Sequence, residues 1–142
     1  MPEPSLLLLI PAYNEEARIE PVLREYARFF KENYSGKFQM VVILNGCKDN
    51  TLGVVQRTAK DFFSVSYLDF PEAIGKGGAL IEGLKLAPLA DLVGYVDADG
   101  QQQALVFRVE KGDIRAVLTG LEARTGRRVE YQDEEARKAG KG

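Results

Sequence analysis

Asp97-Ala98-Asp99 places two carboxylates on either side of one small residue. Such a pair can share a hard divalent cation, and Mg2+ or Mn2+ takes oxygen ligands of this kind together with substrate phosphates. The same tripeptide also reads as a solvated turn before Gly100. Gly75-Lys76-Gly77-Gly78 opens a predicted helix. Its glycines permit close backbone approach, the helix start offers free N–H groups, and Lys76 adds a point charge suited to phosphate. It lacks the spacing and the Ser/Thr of a Walker A loop, and a plain Gly-rich connection fits it equally well. In Pro11-Ala12-Tyr13-Asn14-Glu15-Glu16, Tyr13 offers a ring to stack on a nucleobase and Glu15 an acceptor for base or ribose. The plainer reading is a loop with acidic residues near a helix start. Asn45 carries both a donor and an acceptor for a base edge. Cys47, the single cysteine, reads as a small loop residue, because no histidine is present to activate it.

These groups must be positioned by a short chain. It has 142 residues, 45% hydrophobic and 28% charged, with a net charge of -2. That length suits one domain. It is short for an enzyme holding two substrates. The charge balance excludes a general binder of nucleic acid or anionic membrane. One cysteine excludes an internal disulfide, and the absence of histidine removes the usual zinc sets and the commonest general base. The only apolar run near the start is Leu6 to Ile10, which predicts neither a signal peptide nor a membrane span. The expected location is cytoplasmic, with peripheral attachment at the cytoplasmic membrane face as its one variant.

Ser5 to Ile10 is a continuous apolar run and predicts a strand buried on both faces. A helix is expected from about Pro21 to Asn33, with Val22, Leu23, Tyr26, Phe29 and Phe30 at helical spacing. Phe38 to Leu44 predicts a second strand. Asp49 or Asn50 can cap a helix that carries Leu52, Val55 and Ala59 on one face. Val65 to Phe70 predicts a third strand, Gly77 to Leu86 a helix, and Leu92 to Val96 a fourth strand. Strand and helix alternate, which predicts a parallel sheet with helices on both faces. In such folds ligands sit beyond the carboxyl ends of the strands. The loops that follow the strands hold Tyr13 to Glu15, Asn45 to Asp49, Lys76, and Asp97 with Asp99, so all four should meet at one edge.

Four pieces in this order carry a resemblance. They are Ile10-Pro11-Ala12-Tyr13-Asn14-Glu15-Glu16, Asn45-Gly46-Cys47-Lys48-Asp49-Asn50-Thr51, Gly75-Lys76-Gly77-Gly78-Ala79-Leu80 and Val96-Asp97-Ala98-Asp99-Gly100. From Leu6 to Gly100 the chain resembles the N-terminal half of a family 2 glycosyltransferase, of the polyprenyl-phosphate (dolichyl-phosphate) hexose synthase type. The resemblance implies a Rossmann-like GT-A fold, a nucleotide-diphosphate sugar (UDP- or GDP-hexose) as donor, Mg2+ or Mn2+ as cofactor, and inverting transfer to an acceptor such as a polyprenyl phosphate. It places Pro11, Ala12, Tyr13 and Glu15 along the nucleoside, Asn45 and Asp49 beside it, Lys76 at base or diphosphate, Asp97 at metal and diphosphate, and Asp99 at the metal. It assigns no catalytic base in this chain. Leu44-Asn45 stands where the family carries Asp-Asp or Asn-Asp, which leaves the choice of base open.

Beyond Gly100 the reading changes. Residues 1–100 hold 10 basic and 14 acidic side chains, whereas 101–142 hold 9 and 7, and the shift falls at Gly100-Gln101-Gln102-Gln103. Ala104 to Glu110 predicts a strand, and Ile114, Val117, Leu118 and Leu121 share one helical face. Val129 to Tyr131 predicts a short edge strand and Asp133 to Gly142 a frayed end. No family pattern is visible in this tail. The expectation is an α/β fold with a mostly parallel sheet, truncated or chimeric after its fourth strand. Residues 1–100 form the donor-binding half, and 101–142 a divergent or foreign strand-helix segment packed on the same sheet. Two functions follow: a glycosyltransferase, or a non-catalytic or engineered nucleotide-binding module without an acceptor half. A sugar-nucleotide pyrophosphorylase would want a Gly-rich first loop, which Pro11-Ala12-Tyr13-Asn14 is not.

Overall fold

Apolar runs joined by amphipathic stretches form one parallel sheet only when each connection crosses a face of that sheet. The structure, a computed structural model, describes residues 4–86, 90–96, 98 and 105–108, with the backbone alone for residue 76 and for 105–108. Its elements are β1 (Leu6–Ala12), α1 (Ile19–Asn33), β2 (Phe38–Asn45), α2 (Thr51–Asp61), β3 (Val65–Phe70), α3 (Gly75–Leu84), β4 (Leu92–Tyr95) and β5 (Leu105–Arg108). The strand order is β3-β2-β1-β4-β5. β1 to β4 are parallel, and β5 runs antiparallel to β4.

β1 lies between β2 and β4, which explains its unbroken apolar run. Leu6, Leu8, Ile10 and Ala12 point to one face with Met40, Val42 and Leu44, under α1 and α2. Leu7, Leu9, Val41 and Ile43 point to the other, under α3. A strand covered on both faces needs apolar side chains at every position. Each fully buried Leu or Ile contributes about 1.5–3 kcal/mol over its exposed state. β3, at the edge, alternates instead, with Val65 buried and Tyr67 and Asp69 exposed.

Several expectations shift by a residue or two. α1 starts at Ile19, so Pro21 is its third residue, where a missing N–H costs nothing. α3 starts at Gly75 rather than Gly77 and ends before Leu86. The buried face of α2 is Thr51, Val54, Val55 and Thr58 rather than Leu52, Val55 and Ala59. The threonines tolerate burial because their hydroxyls are bonded: Thr58 Oγ1 donates to Val54 O at 2.9 Å, and Thr51 Oγ1 to Asp49 Oδ1. Leu52 and Ala59 pack at the margin of the same core.

On the outer surface Glu20 of α1 pairs with Arg24 on its own helix and with Arg57 of α2, at 3.0 Å each. Hydrogen bonds from Arg57 and then Arg24 hold the Glu20 carboxyl below the usual range. β5 falls within the strand expected over Ala104 to Glu110 and pairs from Leu92↔Arg108 to Tyr95↔Leu105. The helix, edge strand and frayed end expected after it lie outside the described residues. No helix among the described residues is long and apolar enough to cross a membrane.

Candidate functional site

The chain passes from β1 to β2 and β3 on one side, then crosses to β4 on the other. The carboxyl end of β1 is therefore where neighbouring connections diverge, the place at which open α/β sheets take their ligands. Pro11 stands near that end. Peptide groups two residues apart in a strand point to the same neighbour, and Leu9 O accepts from Val96 N on the β4 side at 3.0 Å. The missing N–H of Pro11 faces that side too, beyond the last registered pair, Leu9↔Tyr95. Ala12 is 2% exposed and belongs to the core, whereas Tyr13 is 53% exposed just past it.

The loop after β1 is fastened to the loop after β2. Asn14 has φ 51°, in the left-handed region that Asn tolerates better than most residues. Its Oδ1 accepts from Lys48 N at 2.7 Å and from Asp49 N at 3.3 Å. Glu15 N donates to Thr51 Oγ1 at 3.0 Å, and Glu16 N to Asp49 Oδ2 at 3.2 Å. Glu16 Oε1 in return accepts from Asn50 N at 3.0 Å. Cys47 Sγ lies 3.4 Å from Ala12 O as a weak donor.

Asp49 has both oxygens engaged, since Oδ1 also accepts from Thr51 N at 3.0 Å. Partial desolvation pushes its carboxyl up, but the bonds from the Thr51 hydroxyl and from the Thr51 and Glu16 amides outweigh this and hold it below the usual range.

A second set of bonds joins β2 to the loop after β3. Asn45, 7% exposed, accepts from Ile74 N through Oδ1 at 2.7 Å. Because a backbone N–H can only donate, this contact fixes the amide orientation. Gly46 N donates to Phe70 O at 2.8 Å, and a Cβ on Gly46 would lie 2.6 Å from Ala73 N. Its φ of 65° likewise favours glycine.

The Glu15 carboxylate completes the described part. Its buried Oε2 is 2.8 Å from Arg18 Nε, an ion pair with a residue three positions on.

Of the residues singled out from sequence, Pro11, Ala12, Tyr13, Glu15, Asn45 and Asp49 fall on β1, β2 and the loops that follow them. Lys76 is the second residue of α3, described by its backbone alone. Asp97 and Asp99 lie outside the described residues. Ala98 between them is 4% exposed and packs in the core under α1 and α2. Among the described residues no group of three or more His, Cys, Asp or Glu side chains forms a metal cluster. Sequence reasoning missed the fastening roles of Asn14, Glu16 and Thr51. The one available signal was Asn at a strand-to-helix junction, where a left-handed residue is expected.

Comparison with known proteins gives the context for this edge. The Glycosyl transferase family 2 model matches residues 8–134, a range that continues past Gly100 into the tail where no family pattern is visible by eye. A dolichyl-phosphate beta-glucosyltransferase, ALG5A of Trichomonas vaginalis, is 33% identical over 117 residues, covering 80% of this chain and 36% of the relative. The dolichyl-phosphate beta-glucosyltransferase of Saccharomyces cerevisiae is 34% identical over 101 residues, covering 67% and 30%. The chain thus spans about a third of the length of the curated relatives it matches. Among solved structures, mannosyltransferase PcManGT from Pyrobaculum calidifontis, in complex with GDP-Man and Mn2+, aligns with a TM-score of 0.54 at 26% identity. It covers 70% of this chain and 30% of its own. Mannosyl-3-phosphoglycerate synthase from Rubrobacter xylanophilus, with a TM-score of 0.56 at 21% identity over 70% of this chain and 32% of its own, shares the GT-A, Rossmann-like fold. With a family match over residues 8–134, most of its length, the chain belongs to glycosyl transferase family 2.

Proposed function

We propose that this chain is the donor-binding half of a glycosyltransferase and takes a nucleotide-diphosphate sugar at the carboxyl edge of its sheet. One observation carries the reading: the loops after β1 and β2 are fastened to each other through Asn14, Glu16 and Thr51 at the carboxyl ends of their strands, with exposed Tyr13 just past β1. There the Tyr13 ring would stack on the base and the Glu15 carboxylate would accept from ribose or base. Pro11 and Ala12 are assigned to the same nucleoside site, with Asn45 and Asp49 beside it. Lys76, in the first turn of α3, is assigned to base or diphosphate, since a helix start and an ammonium group both favour negative charge.

Asp97 and Asp99 are assigned to a divalent metal, with Asp97 also at the diphosphate. The donor set is two hard carboxylates flanking a core-anchored Ala98, which fits Mg2+ or Mn2+ and leaves positions for phosphate oxygens. When bound, the metal supplies charge neutralisation at the leaving diphosphate. PcManGT was solved with GDP-Man and Mn2+, which supports both donor class and metal. The names of the curated relatives support a glucosyl group as cargo and a polyprenyl phosphate as acceptor. In the inverting reaction an acceptor phosphate oxygen bonds to the sugar C1 as the C1–O bond to the diphosphate breaks. That acceptor is already an anion, so the lack of histidine in this chain is no obstacle.

A second reading is a module that binds donor and transfers nothing, with residues 1–100 as the donor half and 101–142 as a divergent strand-helix piece. Calorimetry with UDP and GDP, with and without Mn2+, tests the donor site. Metal-dependent binding of one of them is expected, and binding of neither would sink the assignment. Membrane contact, if the acceptor is a lipid, would be peripheral at the cytoplasmic face.

A further inference from the structure

We propose that Asn14 is a positioning residue: it touches no substrate, but locks the loops after β1 and β2 into one preformed floor for the nucleotide. The inference rests on the donor-site reading above and deepens it.

Residues 14 and 48 are far apart in sequence, and their loops leave two parallel strands with no obligation to meet. Asn14 makes them meet. One oxygen accepts two successive amides of the second loop, at 2.7 and 3.3 Å. Asn14 itself holds a left-handed φ of 51°, a conformation that Asn tolerates. Glu16 repeats the arrangement from the other side, with its carboxylate on Asn50 N and its amide on Asp49. Each loop therefore supplies acceptors for amides of the other. Tyr13 and Glu15, the proposed ligand contacts, flank Asn14 directly, and a loop free to move would have to be ordered when the nucleotide binds. Preformed loops avoid that cost, so the effect should appear in affinity.

Two substitutions separate side chain from backbone. Asn14→Gly keeps the left-handed conformation accessible and deletes the acceptor, whereas Asn14→Asp restores an acceptor and also tolerates that conformation. Both are compared with the unaltered chain by calorimetry with UDP and GDP in Mn2+, thermal unfolding and amide hydrogen exchange. Asn14→Gly is expected to remain folded, to speed exchange at Lys48 and Asp49, and to weaken nucleotide binding about tenfold. Asn14→Asp should recover protection at both amides and most of the affinity. If Asn14→Gly fails to fold, Glu16→Ala, which deletes the reciprocal acceptor, must show the same pairing of faster exchange at Asn50 and weaker binding.

Nucleotide binding by Asn14→Gly at unaltered affinity, with exchange at Lys48 and Asp49 accelerated, would overturn the proposal while leaving the donor site standing. So would Asn14→Asp that recovers protection without affinity. If the unaltered chain binds neither nucleotide, the donor-site reading falls first and takes this inference with it.

Discussion

At Gly46 the chain leaves β2 at φ 65°, under the loop that follows β3. A methyl group there would meet the Ala73 backbone at 2.6 Å, and backbone cannot rotate aside as a side chain can. Gly46→Ala should therefore cost about 1–3 kcal/mol in urea unfolding, combining left-handed strain with the clash. Asp99→Ala has a different signature: unfolding unchanged, and metal dependence of nucleotide binding abolished. A collapsed fold would make Asp99 structural. Asp49 gives a pH signature. Its folded-state carboxyl is held below the ordinary value, so its contribution is complete above that value and is lost as pH falls through the lowered one. Amide exchange at Glu16 and Thr51 should stay protected down to that acid range, and release near the ordinary carboxylate value would contradict the bonding seen. At this scale the sequence pattern foretold that Tyr13, Glu15, Asn45 and Asp49 would sit at or just past the carboxyl ends of β1 and β2, where the structure has them. The fastening by Asn14 was not legible, since nothing in the string says that residue 14 meets residue 48.

The elements were legible where an apolar pattern had one cause. β1 reads as doubly buried because every position from Leu6 to Ile10 is apolar, and all five of those residues are buried. α2 was misjudged by one face because its buried stripe contains Thr51 and Thr58, which count as polar in any periodicity. The structure shows why burial is tolerated, and also that the two hydroxyls differ. Thr58 bonds within its own helix, to Val54 O. Thr51 joins three segments, since its hydroxyl engages Asp49 and accepts from Glu15 N. The same substitution should separate them. Thr58→Val removes a local bond and keeps the shape, so its unfolding free energy should stay within about 1 kcal/mol of the parent. Thr51→Val leaves the Glu15 amide and an Asp49 oxygen without that partner and should cost about 1–3 kcal/mol. Equal losses would mean that Thr51 serves helix α2 alone.

For the whole molecule, alternation of strand and helix was enough to anticipate a parallel sheet and the edge where loops gather. The antiparallel entry of β5 was not readable, because strand direction is decided by pairing with β4 and not by any local pattern. That sheet makes one mechanical unit of the site. The loops after β1, β2 and β3 are bonded to each other, and each is continuous with a strand of the same core. A ligand held by these loops binds the folded state only, so its binding energy should be felt by the entire cooperative unit. At a free concentration one hundred times its dissociation constant, UDP or GDP with Mn2+ should add about 2.7 kcal/mol. For a domain of this size that is a rise of roughly 5–11 °C in melting temperature. Omitting Mn2+ should remove most of the shift if Asp97 and Asp99 hold the diphosphate through a metal. The same sample, given a labelled nucleotide-glucose and a polyprenyl phosphate, distinguishes donor half from complete enzyme. A full thermal shift without labelled lipid product would mark a donor site alone. Labelled lipid would instead place the acceptor chemistry within these 142 residues.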